Sequence, residues 1–251
     1  MSFYAYCLLR LNSDEDWPVI SGIDEHPVFP LRCGKYAMLL SRINSPFAFT
    51  PRSIVEHGQV ISKAFEAHTV LPMRFATFFK SEKQIMNLIQ ENQKELLESF
   101  CRLRGKAEMR LKLMLPSNAP EPKATKKPCQ PTNQLHIVPP TVSSDSAMDE
   151  KSRVLVQELA SKLNDHFRPL EQQTTCRMVQ SKDIVLDCAH LIETQKVGSY
   201  QRLHHSVSAQ MKNCEIRLSG PWPPYHFLPT AVRMPNVAPV PLRRRAVANA
   251  R

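Results

Sequence analysis

The chain has 251 residues, 42% of them hydrophobic, enough to bury one large core or two small ones. No apolar run approaches the roughly 20 residues that span a bilayer, and the opening MSFYAYCLLRL lacks the basic start of a secretory leader. The net charge is +10, and the stretch after Phe227 supplies half of it, through Arg233, Arg243, Arg244, Arg245 and Arg251 with no acid. Such a basic balance attracts an acidic partner without naming one. Seven scattered cysteines, an odd number with no Cys-x-x-Cys pair, argue against a disulfide framework or a zinc ribbon. Reduced thiols and a cytoplasmic location are therefore expected.

Phe3–Leu11 is apolar on both faces and reads as a central strand covered on two sides. Residues 12–34 read as irregular, because Asn12, Ser13, Gly22, Pro27, Pro30 and Gly34 punctuate them. Lys35–Ile43 reads as a second strand. Thr50 followed by Pro51 starts a helix, with Ile54, Gly58, Ile61, Phe65 and His68 on one face. Val70–Phe79 is a strand interrupted at Pro72, which has no backbone donor. Ser81 and Gln84 form a capping box before a helix that carries Ile85, Leu88, Ile89, Leu96, Phe100 and Leu103 and ends at Gly105. Ala107–Leu115 alternates apolar and charged residues as a half-exposed strand.

Pro116–Ala147 holds seven prolines and few aliphatic residues, and reads as a flexible insertion at 116–147. Beyond it a helix carries Val154, Leu155, Leu159, Leu163 and Phe167. Thr174–Gln180 and Ile184–Ile192 read as strands, Val197–Lys212 as a helix and Cys214–Leu218 as a last strand. From Ala107 the order is strand, helix, strand, strand, helix, strand, which is a ferredoxin-like βαββαβ arrangement. The fold class is thus α+β, in two α/β domains. The expected limits are 1–105 and 106–227, followed by a flexible basic tail at 228–251.

No pattern carries catalysis. There is no His-Glu-x-x-His, no Walker loop and no Gly-x-Gly-x-x-Gly, and the nine histidines form no ligand set. Neither a cofactor nor a metal is expected, and no enzyme is read. Arg74, one charge inside VLPMRFATFF, has two readings. It snorkels or pairs with a nearby acid to lock a helix–strand junction, or it forms part of a recognition surface for a partner protein; the first is preferred. Gly220-Pro221-Trp222-Pro223-Pro224-Tyr225 is stiff and partly apolar. It reads as a strap that packs Trp222 and Tyr225 over the core, in preference to a docking element. The run Arg243–Arg245 has no aromatic stacking platform or recognition helix beside it, so no nucleic-acid module is read.

Three blocks of the chain resemble the gas vesicle protein L/F family (GvpL/GvpF). His57 and VLPMRFATFF, with Leu71, Pro72, Arg74 and Phe75, match its first block; Gly105, Lys106 and Glu108 match its G-K-x-E run; Gly220–Tyr225 with Phe227 match its last. Ala76 stands where the family has Gly, and Met109 where an aromatic is often found. The resemblance implies two α/β domains, a non-enzymatic accessory role in gas vesicle assembly, and partners among the small hydrophobic shell protein and other accessory proteins. No small-molecule substrate is implied, and the location would be the cytoplasm or the vesicle. The residues of these blocks, including Gly220, Pro221, Trp222, Pro223, Pro224 and Tyr225, are the candidates for partner binding. The alternative is a diverged protein- or nucleic-acid-binding module that kept the fold and lost the vesicle partner.

Overall fold

The computed structural model describes residues 2–11, 17, 20–44, 50–114, 150–178, 184–211 and 214–233. They form a mixed α+β fold of two compact units, Met1–Gly105 together with the segment that begins at Pro223, and Lys106–Trp222. The expected insertion at 116–147 lies outside the described residues.

The first unit is built on an antiparallel sheet. Its strands are β1 (Ser2–Arg10), β2 (Ile20–Ser21), β3 (Pro27–Cys33), β4 (Tyr36–Ile43), β5 (Val70–Pro72) and β6 (Phe78–Phe79). The order is β2-β3-β4-β1-β5, with β6 also paired to β1. β1 is central, as expected, and Tyr4–Leu9 are all buried. One face takes α1 (Pro51–Ala67), whose Val60, Ile61 and Ala64 pack on Tyr4, Tyr6, Leu9, Leu39 and Ile43. Residues of β4 one position out of phase point the other way, and there Tyr36 stacks on Phe100 at 5.5 Å. Phe100 belongs to α3 (Gln93–Leu103), which follows α2 (Glu82–Glu91). Each fully buried Leu, Ile or Phe contributes roughly 1.5–3 kcal/mol, so both faces of β1 stabilise the unit.

A register shift between Ala5 and Cys7 marks a bulge in β1. It puts the adjacent Tyr6 and Cys7 into the same core cluster as Tyr4 and Leu9, which strict alternation would forbid. Tyr6 then reaches across the sheet face: its hydroxyl accepts from Ile23 N at 2.9 Å and bonds Ser41 Oγ at 2.9 Å.

The structure corrects two sequence readings in this unit. Residues 12–34 are not all irregular, since Pro27–Cys33 is β3. Pro30 is tolerated because β2 pairs with β3 only at Pro27 and Val28, leaving the rest of that edge without a strand among the described residues. The single helix expected from Ser81 to Leu103 is two helices broken at Asn92 (φ −114, ψ 17). The Asn92 amide donates to Leu88 O at 2.7 Å, a local bond that competes with the helix ladder.

The second unit contains β7 (Lys106–Met114), α4 (Glu150–Phe167), β8 (Glu171–Met178), β9 (Ile184–Glu193), α5 (Val197–Gln210) and β10 (Glu215–Trp222). All pairs are antiparallel, in the order β10-β7-β9-β8. Met109, Leu111 and Leu113 of β7 face Val156, Leu163 and Phe167 of α4 and Tyr200 and Val207 of α5. The alternate residue Arg110 lies on the opposite face and forms a bidentate pair with Asp187 of β9, which raises its pKa. Val154, expected in the core, is 45% exposed. Cys188 is disulfide-bonded, which corrects the expectation of reduced thiols; Cys176 stands opposite it in the β8–β9 register. Cys7, Cys33, Cys101 and Cys214 are free.

β10 runs through Gly220 and Pro221 to Trp222, beyond the expected end at Leu218, and the second unit stops there rather than at Phe227. The chain then returns to the first unit. Phe227, Leu228 and Val232 are buried, and Thr230–Arg233 forms the short helix α6. The tail expected at 228–251 therefore begins with packed residues, and the part beyond Arg233 lies outside the described residues.

Candidate functional site

β5 stops at Pro72, and the next residues make a tight turn before β6. Met73 N donates to Tyr6 O at 2.8 Å, so the turn hangs from the bulge of β1. Thr77 N and Oγ1 both donate to Arg74 O, at 3.2 and 2.7 Å, and Ala5 N donates to Thr77 O at 3.0 Å. Between them Ala76 adopts φ +66, the left-handed region. An L-residue there costs about 1–2 kcal/mol, which is why a glycine suits this position.

His57 of α1 lies beneath the turn. Its Nε2 is 3.2 Å from Met73 O, and a carbonyl can only accept, so Nε2 carries the proton. Nδ1 is then the acceptor, and the Tyr4 hydroxyl donates to it at 2.8 Å. The Tyr4 oxygen in turn accepts from Ala76 N at 3.3 Å. This relay from Ala76 through Tyr4 and His57 to Met73 ties both ends of the turn to one neutral imidazole. Burial lowers the His57 pKa from 6.5 to about 4, opposed by the bond to Met73 O. The Tyr6 ring stacks on the imidazole at 5.7 Å, and Tyr4 and Phe75 meet it edge-on at 5.6 Å each. Desolvation dominates the Tyr4 hydroxyl as well and raises its pKa.

Sequence-predicted residues divide accordingly. Leu71 and Pro72 are buried in β5, opposite Leu8 and Cys7 of β1. Phe75 is half-buried. The Arg74 side chain is exposed, with no hydrogen bond or ion pair among the described residues, so the pairing with a nearby acid, one form of the preferred reading, is not made there. Sequence reasoning missed Tyr4 and Tyr6; the signal was the spacing of aromatics in FYAY, read only as strand filling.

Lys106, Glu108 and the late block meet in the second unit. Lys106 opens β7 opposite Glu193, and the buried Glu108 lies opposite both Leu191 and Trp222. Gly220, at φ +116, passes so close that a Cβ there would be 2.7 Å from Glu108 O, so only glycine fits. The Gly220–Pro221 bond is cis, within the β10 irregularity between Ser219 and Trp222. Pro221 is exposed and Trp222 half-buried. Trp222 is therefore a strand residue and not the anchor of the strap.

The strap itself runs from Pro223 through Phe227 into α6. Pro223 and Pro224 are buried, and Tyr225 packs against the core of the first unit. Arg102 Nη2 donates to Phe227 O at 2.6 Å, and Thr230 N donates to Glu95 Oε1 at 2.9 Å, so α3 holds the segment at two points. The late block is thus divided, with Gly220–Trp222 in one unit and Pro223–Tyr225 in the other.

A second tyrosine–histidine pair lies in the second unit. Tyr200 OH and His190 Nδ1 are 2.7 Å apart, His190 Nε2 is 3.6 Å from Glu171 Oε2, and burial lowers the His190 pKa to about 4. Among the described residues no three His, Cys, Asp or Glu side chains form a metal-binding group. No described helix is long and apolar enough to cross a membrane.

The family model of the gas vesicle synthesis protein GvpL/GvpF matches residues 2–229. The chain belongs to the GvpL/GvpF family. Gas vesicle protein L1 of Halobacterium salinarum is 24% identical over 254 residues, covering 90% of each chain. Gas vesicle protein F1 of the same organism is 19% identical, covering 71% of this chain and 70% of its own. The crystal structures of GvpF from Microcystis aeruginosa and Anabaena sp. PCC7120 share the fold. Their TM-scores are 0.69 and 0.70 at 17% and 18% identity, with 90% of this chain covered in each case and 98% and 95% of theirs. A GvpL/GvpF protein has a gas vesicle-related role, and the blocks that carried the resemblance make up the braced turn of the first unit and the Glu108–Gly220 approach of the second.

Proposed function

We propose that this GvpL/GvpF protein is a non-enzymatic assembly factor that binds the small hydrophobic shell subunit during gas vesicle formation, in the cytoplasm or on the vesicle. Its second unit is of the ferredoxin-like kind: the strand order β10-β7-β9-β8, with α4 and α5 on one face, supports that reading. The first unit acts as the partner-binding module. The observation that carries the proposal, beyond family membership, is the braced turn at Met73–Thr77. It is fixed from within by His57 and Tyr4 while Arg74 stands in solvent. His57, Leu71, Pro72, Tyr225 and Gly220 then act as supports. Arg74 and Phe75 face the partner, and Lys106, Glu108, Pro221 and Trp222 shape the second unit.

Co-expression with the shell protein of the same host, followed by pull-down at rising salt, tests this. Capture through apolar area should weaken only modestly, because salt screens exposed charges and leaves apolar contacts intact. A nucleic-acid module would lose orders of magnitude in affinity between about 50 and 200 mM salt. No capture of the shell protein at any salt would leave the alternative ahead, a diverged protein- or nucleic-acid-binding module that lost the vesicle partner.

A further inference from the structure

Strand β8 has little to hold it in the sheet of the second unit. It ends the order β10-β7-β9-β8, with β9 as its strand neighbour. The buried residues of that unit's core cluster come from β7, α4, β9, α5 and β10, and none comes from the described side chains of β8. Glu171, Gln172, Gln173, Thr174 and Thr175 are all polar. Glu171 Oε2 and Thr174 Oγ1 are buried and make no hydrogen bond among the described residues, and the same holds for His190 Nε2, whose residue stands opposite Thr174. Glu171 Oε2 and His190 Nε2 are 3.6 Å apart, beyond hydrogen-bond reach. Buried polar groups left in this condition oppose the packing that contains them. The bond from Gln172 Nε2 to Glu193 Oε1, at 2.7 Å, is exposed to water.

A covalent bond changes this balance. Cys188 of β9, wholly buried, is disulfide-bonded. Of the seven cysteines, Cys7, Cys33, Cys101 and Cys214 are free, which leaves Cys129 and Cys176 within the chain to supply its partner. Cys129 lies outside the described residues, whereas Cys176 stands directly opposite Cys188 in the β8–β9 register. Residues so opposed in antiparallel strands share a face and have Cα atoms about 4.5–5.5 Å apart, inside the range of about 4.4–6.8 Å that a disulfide spans.

We infer that Cys176 and Cys188 form a redox clasp, which fastens the edge strand β8 to β9 when oxidised and releases it when reduced. An external dithiol supplies the two electrons and two protons. One of its thiolates attacks the disulfide and forms a mixed disulfide; the second displaces the protein sulfur. The dithiol leaves as its own disulfide, and Cys176 and Cys188 remain as thiols. In the cytoplasm proposed above, the disulfides that do form are mostly of this transient, redox-sensing kind. Cys214, a free cysteine packed against the same core cluster, does not compete, because burial raises its pKa and keeps it a thiol. The redox state thus decides whether β9 is covered or is itself the edge of the sheet. The clasp does not depend on which partner the protein binds.

The experiment maps disulfides by mass spectrometry in the full chain, alkylated on lysis or after mild oxidation and digested without reductant. A linked Cys176–Cys188 peptide pair is expected. Linkage of Cys188 to Cys129 or to a second chain, or no linkage even after oxidation, overturns the clasp. Hydrogen exchange then compares the oxidised chain with the chain reduced by dithiothreitol. Reduction should speed amide exchange in β8 at least about tenfold and leave β7 and β10 unchanged. Cys176→Ala should exchange like the reduced native chain, and dithiothreitol should not alter it. Equal exchange of β8 in the two native forms overturns the inference. So does a loss of protection that extends to β7 and β10, since the bond would then brace the whole unit. A bond that survives the dithiol in the folded chain overturns the release.

Discussion

His57 illustrates how a single side chain sets both a local conformation and a pH response. As the neutral Nε2-H tautomer it donates to Met73 O and accepts from Tyr4, two roles that an imidazolium could not combine. Its pKa is 6.5 when unperturbed and about 4 in the folded chain. The depressed group binds its proton in the unfolded chain first, so its stabilisation is complete above pH 6.5 and is lost as pH falls toward 4. That difference is worth roughly 3 kcal/mol. His190 has the same direction for the same cause, burial, and adds to the loss. Chemical denaturation between about pH 7 and 4.5 should show stability falling steadily, and His57→Asn, less stable at neutral pH, should show a shallower fall. Equal pH slopes for the two proteins would mean that His57 does not titrate as described. Ala76 is the other decisive residue: glycine fits its left-handed φ better, yet the bond Ala76 N donates to Tyr4 and the Thr77 bonds that close the turn on Arg74 O hold an alanine there.

At the scale of elements, the Gly220–Val232 segment changes role at Trp222. Before it the chain is a strand, paired to β7 and forced to glycine at 220 by the approach of Glu108 O. After it the chain is a strap on α3, anchored by Phe227 and by the bonds from Arg102 and to Glu95. Phe227→Ala should destabilise by about 3–5 kcal/mol, the usual cost of removing a buried aromatic. Trp222→Ala, at a half-buried strand position, should cost less. Thermal unfolding of the two variants makes the comparison, and a larger loss for Trp222→Ala would restore the tryptophan as anchor.

For the whole molecule, the consequence is a first unit that is discontinuous in sequence. The chain leaves it at Gly105, builds the second unit, and comes back at Pro223. A chain ended after Trp222 should lose hydrogen-exchange protection in α3 and β1, whereas one ended after Arg233 should match the full protein. The sheet of the second unit should be protected equally in both, because its core of Met109, Leu111, Phe167 and Tyr200 contains nothing from the strap. Unchanged protection of α3 without the strap would show that Phe227, Leu228 and Val232 add little to that unit.

The sequence alone determined those features that depend on near neighbours. The doubly apolar β1, the Thr50–Pro51 helix start, the alternation of β7 and the glycine after α3 all follow from local pattern, and each stands in the structure. The blocks around His57 and Gly220 also sufficed for the family. Tertiary structure decided the rest, because it concerns groups far apart in the chain. Tyr4 and His57 are joined across 53 positions, and Arg102 and Phe227 across 125. The two-helix break at Asn92 and the β3 edge depended on competing hydrogen bonds that composition does not reveal. Arg74 looked buried because its neighbours in sequence are apolar. A turn, fixed by bonds to β1 and α1, sends its side chain into solvent instead, and only the folded chain contains those bonds.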